Sequence, residues 1–256
     1  MGDSLGTILW GTFVRLFGKQ LYFSVYRLTG VRLTSDTHYV DWEQITAVFP
    51  ASTEKVQELL PSSKLKPVEI SPGKTGIYVA GNHFRKIRSL APYEEFAVGV
   101  QVNYQGSNEH ETMPHYYLIT LPVSTEAARW GGAHLLGMPK FVAPIQHEDQ
   151  GDRVTCTVKV DDADYLRLEV PKLTTQPAVS EKGYYGVRDG QLVRTRMSLE
   201  GMVGDCEGSP GAHFRLGSHP MADKFRALEI EDTSVSFSYM ESGHSILFKP
   251  DLILPL

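Results

Sequence analysis

Apolar and polar residues alternate along most of this chain. Phe96, Val98, Val100, Val102 and Tyr104 alternate with Glu95, Ala97, Gly99, Gln101 and Asn103, which predicts a strand with one large apolar face and one face of small or polar groups. Val154, Cys156, Val158 and Val160 alternate with Thr155, Thr157 and Lys159. Leu166, Leu168 and Val170 do the same with Tyr165, Arg167 and Glu169, and Asp161-Asp162-Ala163-Asp164 joins these two runs as a hairpin loop. Asp189-Gly190 is a hairpin signal between strands at 184–188 and 191–197, and Val235, Phe237 and Tyr239 alternate with serines near the end. Helical patterns are short, at 53–60 and 125–136. So many strands with so little helix predict a mainly β (α+β) fold that closes into a barrel or closed sheet, with a few short helices outside. Residues 67–76 and the glycine-rich stretch 201–217 read as loops that could cover a barrel mouth.

The first 30 residues form a separate, amphipathic segment. Leu5, Ile8, Leu9, Phe13, Leu16 and Phe17 share one side of a helix expected over 5–17. The apolar run is too short to span a bilayer, which needs about 20 residues, and Arg15 and Lys19 interrupt it. It has no basic start or small-residue cleavage site, and position 6 is Gly where a myristoylation signal carries Ser or Thr. Packing on the domain or on another subunit is preferred to membrane contact, because the opposite face is not rich in Lys or Arg.

Composition narrows the function classes. A chain of 256 residues with 41% hydrophobic content can form one domain with a full core, here expected over 31–256. A net charge of −5 without a basic run argues against a nucleic-acid partner. Two cysteines, Cys156 in a strand pattern and Cys206 in a glycine-rich turn, lack metal-ligand spacing and fit a reduced, cytoplasmic compartment. His110 and His115 with Glu109 and Glu111 fit no standard ligand set, so neither a metal nor a cofactor is expected.

The segment Ser124-Thr-Glu-Ala-Ala-Arg-Trp-Gly-Gly-Ala-His-Leu-Leu-Gly-Met-Pro-Lys140 carries the candidate chemistry. Ser124 reads as a helix N-cap, Glu126 suits the positive end of the helix dipole, and Pro139 prevents the helix from continuing. Lys140 follows at once and precedes the apolar run Phe141-Val142-Ala143. Enclosure by apolar groups disfavours an ammonium ion and leaves an amine able to attack a ketone. The local sequence by itself favours a surface lysine after a turn.

Gly137-Met-Pro-Lys140, preceded by a helix with a glycine pair, resembles the Schiff-base segment of the acetoacetate decarboxylase family, where Tyr/Phe-Pro-Lys carries the covalent lysine. Tyr93-Glu-Glu-Phe96 with the strand after it resembles that family's Tyr-x-Glu turn, and His115-Tyr-Tyr-Leu118 its strand before the helix. Phe214-Arg-Leu216 with His219-Pro-Met-Ala222 resembles its C-terminal Arg-Leu and His-x-x-Ala pattern, and Thr53 to Pro61 its short helix ending at proline. The resemblance covers roughly residues 40–230 and implies a cone-like antiparallel β-barrel with Lys140 inside, Glu95 as the carboxylate that moves protons, and Tyr93 beside them.

The departures from the family pattern shape the expected substrate. A second lysine follows the catalytic one in the decarboxylases; here Phe141 follows. The family's arginine for the substrate carboxylate falls at Trp42, which cannot hold a carboxylate as a guanidinium does. Its Gly-Arg-Glu is Gly132-Ala133-His134 here, and His134 is either a local acid–base group or a helix-face histidine with structural hydrogen bonds. Met138 and Tyr117 add apolar bulk or pack the core. A site lined by Trp42, Tyr93, Tyr117, His134, Met138 and Phe141 suits a larger, less acidic ketone than acetoacetate.

The expectation is a lyase-type enzyme of secondary metabolism, forming a homo-oligomer. It would act through a Lys140 imine on a ketone or β-keto, polyketide-like molecule, by decarboxylation, aldol chemistry, dehydration or cyclisation. A non-covalent cyclase or isomerase, and a non-catalytic small-molecule-binding barrel, remain the alternatives.

Overall fold

The computed structural model describes residues 36–88, 90–105, 113–208 and 210–256. The expected N-terminal amphipathic segment and the His110 loop lie outside these residues. In chain order the elements begin with β1 (Thr37–Ser52), α1 (Thr53–Leu59), β2 (Leu65–Pro67), β3 (Glu69–Ser71), β4 (Lys74–Ile87), β5 (Tyr93–Tyr104) and β6 (His115–Val123). There follow α2 (Glu126–Trp130), a π-helical turn (Gly131–Leu135), β7 (Lys140–Val142), β8 (Ile145–Asp149), β9 (Arg153–Val160) and β10 (Ala163–Pro171). The C-terminal third holds β11 (Gln176–Arg188), β12 (Gln191–Glu207), β13 (His213–Leu216), a 3-10 turn (Pro220–Ala222), α3 (Asp223–Arg226), β14 (Ser236–Leu247) and β15 (Leu252–Pro255).

Seven strands, β5-β4-β1-β14-β12-β11-β6, pair in that order, and β6 returns to β5 to close a barrel. The ring is antiparallel except where β6 meets β11 in parallel. A second, four-stranded sheet, β13-β10-β9-β8, covers one side of it. Strands of that covered side are therefore buried on both faces. Trp42 to Ala47 in β1 are all buried, with Ile45, Ala47 and Phe49 turned to the second sheet and Trp42 and Gln44 turned to the barrel interior. A register shift in β1 between Tyr39 and Trp42 brings both aromatic rings to the interior, as a β-bulge allows. On β5, Phe96 and Val98 enter the layer between the sheets, where burying a ring such as Phe96 contributes roughly 1.5–3 kcal/mol relative to exposure.

The predicted strands and both hairpins are present, with three corrections. The β9–β10 turn is only Asp161-Asp162, both with positive φ, so Ala163 and Asp164 already pair in the ladder. The stretch 201–217 is no loop: β12 runs through Glu207, and Cys206 lies in it rather than in a turn. Gly201 is a close-approach residue, since a Cβ there would lie 2.8 Å from the Ser242 carbonyl oxygen of β14. Residues 67–76 likewise contain β3 and the start of β4.

Candidate active site

The chemistry sits on three strands that present one residue each to the same row of the barrel interior. Gln44 of β1 is opposite Asn82 of β4, and Asn82 is opposite Glu95 of β5. Gln44 Nε2 donates to Asn82 Oδ1 at 2.7 Å, and Asn82 Nδ2 donates to Glu95 Oε1 at 3.1 Å. The other Glu95 oxygen, Oε2, accepts from Lys140 Nζ at 2.6 Å. Glu95 is thus aimed by an amide relay on one side and holds the lysine on the other. The Lys140 and Glu95 side chains are only 5% and 11% exposed, so solvent screening of this pair is weak.

Local sequence explains how Lys140 arrives there. Thr125, not Ser124, caps α2, its hydroxyl accepting from Ala128 N; the Ser124 hydroxyl instead accepts from Glu94 N at 2.8 Å and ties this segment to β5. The helix loosens into the π-turn at Gly131 and ends at Gly137, which has φ +68 and packs on the Val187 backbone too closely for a side chain. Pro139 then straightens the chain and β7 pairs in parallel with β6, Lys140 opposite Leu121. Gly132 is equally constrained, because a Cβ there would occupy the space of Lys140 Cδ and Cε. Gly132 is therefore the groove through which the lysine stem reaches the interior.

A cavity opens beside the pair, within a space of about 480 Å³ that includes open solvent. Its polar side is Lys140, Glu95, Asn82, Gln44 and the phenols of Tyr39, Tyr78 and Tyr184. Its apolar side is Trp42, Phe84, Ala97, Leu118, Leu121, Met138, Met197 and Leu247. Lys140 is the one cation among these described lining residues, and Glu95 the one carboxylate. Burial pushes the Tyr39, Tyr78, Tyr93 and Tyr184 phenols up, and the Glu95 charge adds to this, so all four remain neutral hydrogen-bonding groups. Trp42 is 1% exposed and stacks on Phe84 at 5.1 Å, and its buried indole N–H has no protein acceptor.

The six residues expected to meet substrate separate into two groups. Trp42 and Met138 line the cavity, and Tyr93 lies beneath the lysine, its ring centroid 5.6 Å from Nζ and its hydroxyl 3.3 Å from that of Tyr39. Tyr117, Phe141 and His134 do not line it. Strand parity explains the first two: Tyr117 alternates with the cavity-lining Leu118, and Phe141 with Lys140, so both turn to the layer between the sheets. His134 lies in the π-turn and packs against Trp130. Gln44, Asn82 and Tyr78 were missed by sequence reasoning; the available signal was polar side chains inside otherwise apolar strands. Among the described residues no three His, Cys, Asp or Glu are grouped to hold a metal ion.

Residues 30–251 match the model of the acetoacetate decarboxylase family. The chain belongs to that family. No curated protein matches it. Among solved structures it resembles the enduracididine biosynthesis enzyme MppR in complex with pyruvate, at 15% identity and a TM-score of 0.64 over 86% of this chain and 90% of that one. Acetoacetate decarboxylase from Legionella pneumophila gives the same identity and TM-score over 86% and 88%. An acetoacetate decarboxylase-like enzyme from Sphingomonas wittichii RW1 gives 16% and 0.54 over 85% and 92%. At such identities these structures support the fold, and the family model supports the membership. Among the described residues no helix is long and apolar enough to cross a membrane.

Proposed function

We propose that this chain is a lyase-type enzyme in which Lys140 forms an imine with a ketone or β-keto substrate and Glu95 moves the protons. The single observation that carries the reading is the 2.6 Å contact between a buried lysine amine and a buried carboxylate at the edge of a largely apolar cavity. Glu95 takes a proton from Lys140, and the freed nitrogen lone pair adds to the carbonyl carbon. The carbinolamine then loses water, its oxygen leaving with a proton returned by Glu95, to give the protonated imine. That cation accepts the electron pair of a bond at the adjacent carbon, releasing a proton, carbon dioxide or a carbonyl fragment. Glu95, once it has taken up a proton from the departing group or from water, reprotonates the enamine carbon, and water hydrolyses the imine to free Lys140.

The cavity argues for a bulky ketone over acetoacetate. A carboxylate next to the reacting carbonyl would meet Glu95 and no cation besides Lys140, whereas Trp42, Phe84 and Met138 offer apolar contact. Borohydride reduction in the presence of a methyl ketone is expected to fix the ketone on Lys140, detected by peptide mass spectrometry, and Lys140→Ala is expected to remove the adduct. A wild-type protein that gains no adduct, or gains it on another lysine, contradicts the imine. Acetoacetate is expected to release carbon dioxide poorly; rapid release would contradict the substrate class.

A further inference from the structure

A second lysine stands just outside this cavity lining and, among the described residues, forms no ion pair. Lys182 on β11 shares the strand face of Tyr184, two residues on, and lies opposite Met197 of β12; both of those residues line the cavity. Its Nζ lies over the Tyr78 ring, 5.3 Å from the centroid. Among the described residues no carboxylate forms an ion pair with it. Burial lowers its affinity for a proton, opposed only by the more distant Asp205. A half-buried cation held against a ring rather than by a carboxylate is open to an anionic ligand group.

Position along the barrel says which part of a ligand would meet it. Tyr78 stands four residues, about 13 Å of strand, from Asn82 on β4, and its hydroxyl accepts from Gln44 Nε2 at 3.5 Å, so the Tyr78 ring bridges the space between Lys182 and the Lys140–Glu95 row. We propose that Lys182 is an anion subsite adjoining this cavity beyond Tyr78, and that the ketone substrate carries a carboxylate remote from its reacting carbonyl. The proposal rests on the imine reading for the identity of the other end. It also reconciles two features of the site: the reacting end offers a neighbouring carboxylate no cation besides Lys140, while the space beyond Tyr78 offers one. The Tyr78 and Tyr184 phenols, kept neutral by burial, stand beside Lys182 as further donors to such a group.

A matched pair of probes tests this. 8-Oxononanoate and 2-nonanone carry the same methyl ketone and differ at the far end in a carboxylate. In borohydride trapping, the wild type should reach half-saturation with the acid at a concentration at least tenfold lower than with the neutral ketone. In Lys182→Met that preference should fall to near one, and in Lys182→Arg it should return. An acid preference that survives in Lys182→Met overturns the subsite and leaves the imine standing. If the wild type traps neither probe, the imine reading fails, and calorimetric titration with nonanoate decides the subsite alone. Binding at least tenfold weaker in Lys182→Met upholds it, and equal binding overturns it.

Discussion

Glu94 and Glu95 are neighbours on one strand and live in different chemical surroundings. Glu95 turns into the barrel, where it holds Lys140 and borders the cavity. Glu94 turns the other way and accepts from His83 at 2.5 Å; the His83 ring stacks on His147 at 5.3 Å, and His147 lies 3.6 Å from Glu43. Both regions hold buried or half-buried carboxylates beside cationic partners. The inner pair borders a cavity that a reactant can enter, so a proton shifted there can meet a substrate. The outer cluster lies against the second sheet, and none of its four members lines the cavity. A carboxylate paired with a base is therefore insufficient as a mark of a catalytic site; the space next to it decides.

That contrast can be sharpened from the inner side first. Gly132→Ala would push the Lys140 stem away from Glu95 without forcing the backbone, since Gly132 has no positive φ. A displacement on the order of 1 Å costs about 10²-fold in rate, so adduct formation should slow by about that much while thermal stability changes little. An unchanged trapping rate would mean that the lysine does not depend on this groove.

The outer cluster should answer to pH through stability instead. The Glu94 hydrogen bond raises His83 above its usual 6.5, outweighing burial. This contribution is fully present below pH 6.5 and is lost as the pH rises through the higher folded-state value. Burial pushes Glu43 up, but His147 and Arg85 together pull it below 4.5, so its contribution is present above pH 4.5 and is lost as the pH falls through the lower folded-state value. Stabilisation by the cluster is therefore greatest between about pH 4.5 and 6.5. Discounted for solvent at the partly exposed His83, it amounts to under ~1 kcal/mol, or about 2–4 °C in Tm for a chain of this size. Glu94→Gln should flatten the alkaline fall in Tm. A fall of the same size in that variant would show that another group causes it.

The same parity that divides Glu94 from Glu95 marks how far the sequence was legible. The alternation of β5 by itself puts Glu95 on the face of Ala97 and opposite that of Phe96, because a period of two is fixed by backbone geometry. Phe141 and Tyr117 obey that rule too; proximity to Lys140 in sequence obscured it, although each alternates with a cavity-facing neighbour. Gln44, Asn82 and Lys182 were not legible, since their roles depend on which strands pair and in what register, and register is a long-range property. Gly201 misled because a glycine needed for close approach of β14 looks, in sequence, like one needed for a turn. The π-turn that displaces His134 from the cavity has no local signature beyond the glycine pair.

The central claim is that the inner pair, and not the outer one, generates an enamine. Deuterium exchange into the methyl groups of acetone in D2O, followed by NMR, reads enamine formation without knowledge of the natural substrate. The account predicts wild-type exchange above background, a fall of about 10²-fold or more in Glu95→Gln, as for a lost general acid–base group, and little change in Glu94→Gln. Exchange that survives Glu95→Gln but collapses in Glu94→Gln would contradict it.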